Sequence, residues 1–126
     1  MSEILSSAIA VAQQAGEILL RHFRSENLEI RIKNDQSLVT QADIDSDKFI
    51  ADEFTRLFPG ASILSEEHSP GFRISAQNIQ QPIWVIDPLD GTTNFSLKLH
   101  HWGVSIARLE HGIPTLGVLY YPLIDE

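Results

Sequence analysis

Four consecutive apolar residues, Ile83-Trp84-Val85-Ile86, run directly into Asp87-Pro88-Leu89-Asp90-Gly91-Thr92-Thr93-Asn94-Phe95. A short unbroken apolar run fits a strand buried on both faces, which points to a layered fold. Asp87 falls at the end of that strand, where backbone and side chain leave the core. Pro88 has no N–H and is expected to help stop the strand. Asp90 follows three residues after Asp87, near enough for both carboxylates to converge on one cation. Gly91 permits a sharp turn, and Thr92 and Thr93 offer hydroxyls and amides where a short helix could begin. Free N–H groups at such a start bind anions. One loop thus joins carboxylates for a cation to donors for a phosphate, as metal-assisted phosphoryl chemistry requires. An Asp-Pro or Asp-Gly pair alone is a turn signal. Here two carboxylates, a Gly and two Thr at the end of a buried-type strand say more.

The rest of the chain supplies the layers. Leu5, Ala8, Ala12, Ala15, Leu19 and Phe23 recur at three- and four-residue intervals and mark one helix over the first 24 residues, with Ser2 as N-cap. Leu28 to Lys33 alternates apolar and charged residues, the pattern of a half-buried strand, and Asn34 to Ser37 reads as a turn. Thr40-Gln41-Ala42-Asp43 resembles a capping box opening a second helix, with Asp43 at its N3 position. That helix carries Ile44, Phe49, Ile50, Phe54 and Leu57 and ends at Pro59-Gly60. Ala61 to Ser65 is a short strand, Glu66 to Pro82 a long loop, and Trp102 to Leu109 and Pro114 to Tyr121 are strands joined through Glu110-His111-Gly112. Trp84 and Trp102 are expected in the core. The order gives an α+β or layered α/β fold in one domain over 1–126, with no repeat and no linker.

Composition removes whole classes of function. The 126 residues hold 9 Lys and Arg against 17 Asp and Glu, a net charge of −8, and no two basic residues are adjacent. A nucleic-acid binder living on phosphate contacts needs a basic patch, so that class is not expected. With no Cys, disulfides, thiolate zinc sites and thiol nucleophiles are excluded as well. No apolar stretch approaches a membrane span, and Met1-Ser2-Glu3 is not the basic start of a secretory signal. The expected setting is cytoplasmic.

Other motifs fail on inspection. Asp43-Ile44-Asp45-Ser46-Asp47 has the opening of a calcium loop, but Lys48 and Phe54 stand where that loop needs Gly and Glu. Adjacent His100 and His101 would face opposite sides of a strand, unlike a zinc pair. No second Gly completes a nucleophile elbow around Ser105, and no Gly-Lys-Ser/Thr phosphate loop occurs. Ser65-Glu66-Glu67 is a second acidic element just past a strand, placed to face the same sheet edge.

Asp87-Pro88-Leu89-Asp90-Gly91-Thr92-Thr93-Asn94-Phe95 resembles the signature of the inositol monophosphatase family, within the lithium-sensitive, magnesium-dependent phosphatase superfamily. Leu38-Val39-Thr40 with Asp43, Ser65-Glu66-Glu67, and the strand from Gly117-Val118 are similar to further segments of that family, in order. The resemblance implies the front half of an αβαβα sandwich, with two N-terminal helices packed on a mainly antiparallel sheet. It implies Glu66, Asp87, the Leu89 carbonyl and Asp90 as ligands of two or more Mg²⁺ ions, with inhibition by lithium. Thr92 and Glu66, helped by Asp43, would orient and deprotonate the attacking water, and the Gly91 and Thr92 amides would hold the phosphate. Lys33 falls where a basic residue often lies near the substrate phosphate. The donor set suits the metal, because Mg²⁺ prefers hard oxygen ligands and keeps waters.

The implied activity is hydrolysis of a small phosphorylated metabolite, an inositol monophosphate or a relative such as fructose 1,6-bisphosphate, histidinol phosphate or a nucleotide 3′-phosphate. Leu97 and His100 stand where the family signature often has His and Pro. The family's later half, with a Trp-Asp motif that completes the second metal site, has no counterpart before Glu126. The chain therefore reads as the metal-binding front half of a longer enzyme, as a homodimer or associated with a missing C-terminal half, or as a non-catalytic module. Haloacid-dehalogenase-like phosphatases place their second Asp two residues after the first, not three, and are a poorer match.

Overall fold

Small side chains turn the first helix into a packing surface. In α1 (Glu3–Phe23), Ala8, Ala12, Ala15 and Leu19 are wholly buried, and Leu5 and Phe23 pack at the margins of the same stripe. The computed structural model describes residues 3–24, 28–65 and 82–124, and for 28–40 the backbone alone. The proposed Ser2 cap, Glu66, and nearly all of the expected 66–82 loop lie outside the described residues.

The second helix, α2 (Leu28–Leu57), starts a dozen residues earlier than the sequence reading placed it. The expected strand at Leu28 to Lys33 and turn at Asn34 to Ser37 are both helical, and Thr40 and Asp43 sit inside the helix rather than at its cap. The alternation covered only six residues, and Leu, Glu, Arg and Lys are all good helix formers, so propensity prevails there. Ala42, Ile50 and Phe54 are fully buried along its inner face.

Four strands form one sheet in the order β1 (Ser62–Leu64), β2 (Ile83–Asp90), β3 (Gly103–Glu110), β4 (Ile113–Tyr120). β1 runs parallel to β2, and the other two pairings are antiparallel. Both helices contact this sheet, α2 against β2 and α1 against β3 and β4. His111 and Gly112, both left-handed, make the tight turn between β3 and β4.

Two aromatic clusters hold the layers together. Phe54 and Phe58 stack on Trp84 with ring centroids 4.3 and 5.2 Å away. Phe23, Phe95 and Trp102 form the second, at 4.9 to 5.4 Å. Trp84 and Trp102 are both fully buried, as expected. The second cluster anchors α3 (Thr92–Ser96), the short helix after β2, on the end of α1.

Pro88 does not stop its strand. β2 continues to Asp90, but its pairing with β3 slips, because Asp87 faces Ser105 and Asp90 faces Gly103. Three steps on β2 span two on β3, which is a bulge. The missing N–H of Pro88 falls inside that bulge, where no ladder bond is required of it.

Candidate active site

The bulge re-aims the end of β2. Pro88 and Leu89 turn inward and are buried, whereas Asp87 is exposed and Asp90 half-buried. Gly91 follows with φ 84° and ψ 43°, a left-handed conformation that reverses the chain into α3. A Cβ at that position would sit 2.8 Å from the His101 carbonyl oxygen and 3.2 Å from Trp102 Cα, so glycine is required for space as well as for φ. The first hydrogen bond of α3 runs from Phe95 N to Gly91 O at 2.9 Å, leaving the Thr92 and Thr93 amides ahead of it at the mouth of the turn.

A cavity of about 430 Å³ opens at this end of β2, lined by Asp43 of α2 and by the run from Ile86 to Thr92. The structure thus brings together Asp43, Asp87, Leu89, Asp90, Gly91 and Thr92 of the residues expected from sequence. Glu66 lies outside the described residues, and Lys33 lies where the backbone alone is described. Leu97, one of the two departures from the signature, is 63% exposed beyond α3, and His100 is exposed too.

Supporting contacts fix the cavity wall. The buried Ser46 hydroxyl donates to the Pro88 carbonyl at 2.8 Å, tying α2 to the bulge. Asn94 Nδ2 donates to the His101 carbonyl at 2.8 Å, closing the loop after α3. Lys98 Nζ donates to the Phe23 carbonyl at the end of α1 and lies 4.5 Å from the Phe23 ring centroid. On the open side, the Tyr121 hydroxyl donates to Asp90 Oδ2 at 3.1 Å, and the His101 ring stacks on the Tyr121 ring at 4.7 Å. Burial of the Tyr121 phenol, then its bond to Asp90 and the charges of Asp90 and Asp87, raise its pKa above the ordinary 10.0. It is therefore a hydrogen-bond donor at neutral pH.

The sequence reading missed Ser46 and Tyr121. Ser46 did leave a signal, a polar residue between Ala42 and Ile50 on the buried stripe of α2. Tyr121 left none, because its bond to Asp90 crosses 31 residues of chain.

Among the described residues, no three His, Asp or Glu side chains gather closely enough to hold a metal ion on their own. The cavity nonetheless offers three carboxylates, with Asp87 and Asp90 flanking the Pro88-Leu89 backbone and Asp43 contributed by α2, and its lining holds no His or Cys. That donor chemistry fits Mg²⁺, which binds through one or two carboxylates and keeps several waters.

Comparison with known proteins agrees with this picture. The model of the inositol monophosphatase family matches residues 1–126. The chain is 35% identical to the 3′(2′),5′-bisphosphate nucleotidase CysQ of Aggregatibacter actinomycetemcomitans, covering 99% of this chain and 46% of that protein. It is also 35% identical to inositol monophosphatase 2 of Solanum lycopersicum, covering 100% of this chain and 47% of that one. The crystal structure of inositol monophosphatase-II from Staphylococcus aureus MSSA476 superposes with a TM-score of 0.80 at 26% identity, over 98% of this chain and 43% of that one. The chain therefore spans about half the length of the relatives that it matches.

Proposed function

This chain belongs to the inositol monophosphatase family, and we propose from that membership that the cavity at the end of β2 serves a Mg²⁺-dependent phosphomonoesterase acting on a small phosphorylated metabolite. The observation that carries the proposal is the gathering of Asp87, Asp90, Gly91, Thr92 and Asp43 around one opening of about 430 Å³. Carboxylates at a phosphate site make sense only with cations between them and the ester, since like charges otherwise repel.

In this reading Asp87, Asp90 and the Leu89 carbonyl hold Mg²⁺, with Glu66 as a further ligand. Mg²⁺ held there would supply positive charge against the ester oxygens and lower the pKa of a water for attack. The amides of Gly91 and Thr92 bind the phosphate, as backbone N–H groups at the start of a helix do. The Thr92 hydroxyl and Glu66, with Asp43 across the cavity, orient the attacking water and take its proton. Phosphoryl transfer needs little more than such positioning and charge neutralisation. The same proposal makes residues 1–126 the metal-binding half of the enzyme, with homodimer assembly and a cytoplasmic setting carried by the family resemblance.

The two relatives of equal identity, a bisphosphate nucleotidase and an inositol monophosphatase, favour no single ester. Phosphate release is therefore measured from inositol 1-phosphate, fructose 1,6-bisphosphate, histidinol phosphate and adenosine 3′,5′-bisphosphate. The 126-residue chain is assayed with and without Mg²⁺. Release that needs Mg²⁺ and is lost in Asp87→Asn supports the assignment, and equal rates in the variant refute it. Mg²⁺ binding without turnover would assign 1–126 a metal-binding role that is incomplete by itself.

A further inference from the structure

Tyr121 reaches the site from two strands away. It follows directly on β4, yet its hydroxyl lies 3.1 Å from Asp90 Oδ2 on β2, across β3. The path is open because Gly103, the β3 partner of Asp90, has no side chain. A Cβ there would meet Tyr121 Cδ1 at 2.5 Å and the Tyr120 carbonyl oxygen at 2.0 Å. His101 stacks on the ring at 4.7 Å and an interplanar angle of 27°, restricting its rotation. His101 is restrained in turn, since its carbonyl accepts from Asn94 at 2.8 Å. Asp90 is half-buried and belongs to the bulge, where regular ladder bonding has lapsed, so its backbone alone does not fix the carboxylate.

We propose that Tyr121 is a positioning residue for Asp90, its hydroxyl holding Oδ2 so that the other carboxylate oxygen is presented to a divalent cation. The inference rests on the reading of Asp90 as a metal ligand and names the group that orients it. A carboxylate ligand held by an outer hydrogen bond loses less rotamer freedom on binding, and removal of such a partner costs roughly 10–100-fold in metal affinity.

The test titrates Mn²⁺, as a paramagnetic stand-in for Mg²⁺, into the 126-residue chain and reads binding by electron paramagnetic resonance. Wild type, Tyr121→Phe and Asp90→Ala are compared, each with its Tm. Phenylalanine keeps the ring and its stack on His101 and removes only the hydroxyl. The expected result is Mn²⁺ binding about tenfold or more weaker in Tyr121→Phe with an unchanged Tm. If wild type binds Mn²⁺, Asp90→Ala weakens it, and Tyr121→Phe binds as tightly as wild type, the inference is overturned while the carboxylate reading stands. A lower Tm with unchanged affinity per folded molecule also overturns it, since that would be a structural role only. If wild type fails to bind Mn²⁺, or Asp90→Ala binds equally well, the underlying reading falls and the inference with it.

Discussion

Ser46 in the middle of α2 and Pro88 in the bulge of β2 are joined by a buried hydrogen bond of 2.8 Å, 42 residues apart in sequence. It satisfies the Pro88 carbonyl at a point where pairing with β3 has slipped, and it ties the helix that carries Asp43 to the strand that carries Asp87 and Asp90. Ser46→Ala leaves that carbonyl buried without its partner. The expected loss is about 1–3 kcal/mol, the desolvation penalty of an orphaned group. Urea denaturation followed by circular dichroism measures it, and a loss near zero would show that water replaces the hydroxyl.

Phe95 should be the anchor of α3. It is 1% exposed and packs edge-on against Phe23 and Trp102, so this five-residue helix is held by tertiary contact rather than by its own length. Phe95→Ala is expected to cost about 3–5 kcal/mol. Amide hydrogen exchange should quicken first at Leu97 and Phe95, whose N–H groups bond within this turn. Uniform quickening across α1 and the sheet would instead mean that the cluster supports the whole fold equally.

Much of this arrangement was legible in the residues. The alanine stripe of α1, the buried strand at Ile83 and the Gly91 turn into a short helix at Thr92 each carry their own local signal, and the structure keeps them. What failed was also local. Leu28 to Lys33 alternates like a strand, but six residues of pattern cannot outweigh helix formers that continue an adjoining helix. Pro88 marks a strand end only if a ladder bond is needed at that residue, and the bulge removes the need. Tyr121 shows the deeper limit. Its place depends on a glycine in the neighbouring strand and on strand order, neither of which any window of sequence around Tyr121 contains.

Alkaline titration should single out Tyr121. The chain has two tyrosines, and Tyr121 has its pKa raised by burial, by its bond to Asp90 and by the charges of Asp90 and Asp87. A raised native pKa means that above pH 10.0 the unfolded chain releases this proton before the folded one does. The unfolded state then binds fewer protons, so the contribution to stability is whole below that pH and is lost as pH rises through the native value. Tyrosinate absorbance at alkaline pH should show a late-titrating phenol in wild type that disappears in Tyr121→Phe. Retention of the late-titrating phenol in that variant would refute the assignment to Tyr121.

Gly91→Ala tests the turn that presents the Thr92 amide. The substitution forces a side chain into φ 84° and places its Cβ 2.8 Å from the His101 carbonyl oxygen. Left-handed backbone at a non-glycine residue costs about 1–3 kcal/mol. Relief would come by rotating the peptide that bears the Thr92 N–H or by pushing His101 away. Gly117→Ala is the control, since a Cβ there meets nothing within 4 Å. In the proposed reading, Gly91→Ala weakens binding of inorganic phosphate in the presence of Mg²⁺, and Gly117→Ala leaves it unchanged. Equal phosphate binding in both variants, with the expected stability loss at Gly91 alone, would mean that the turn shapes the fold without gripping the phosphate.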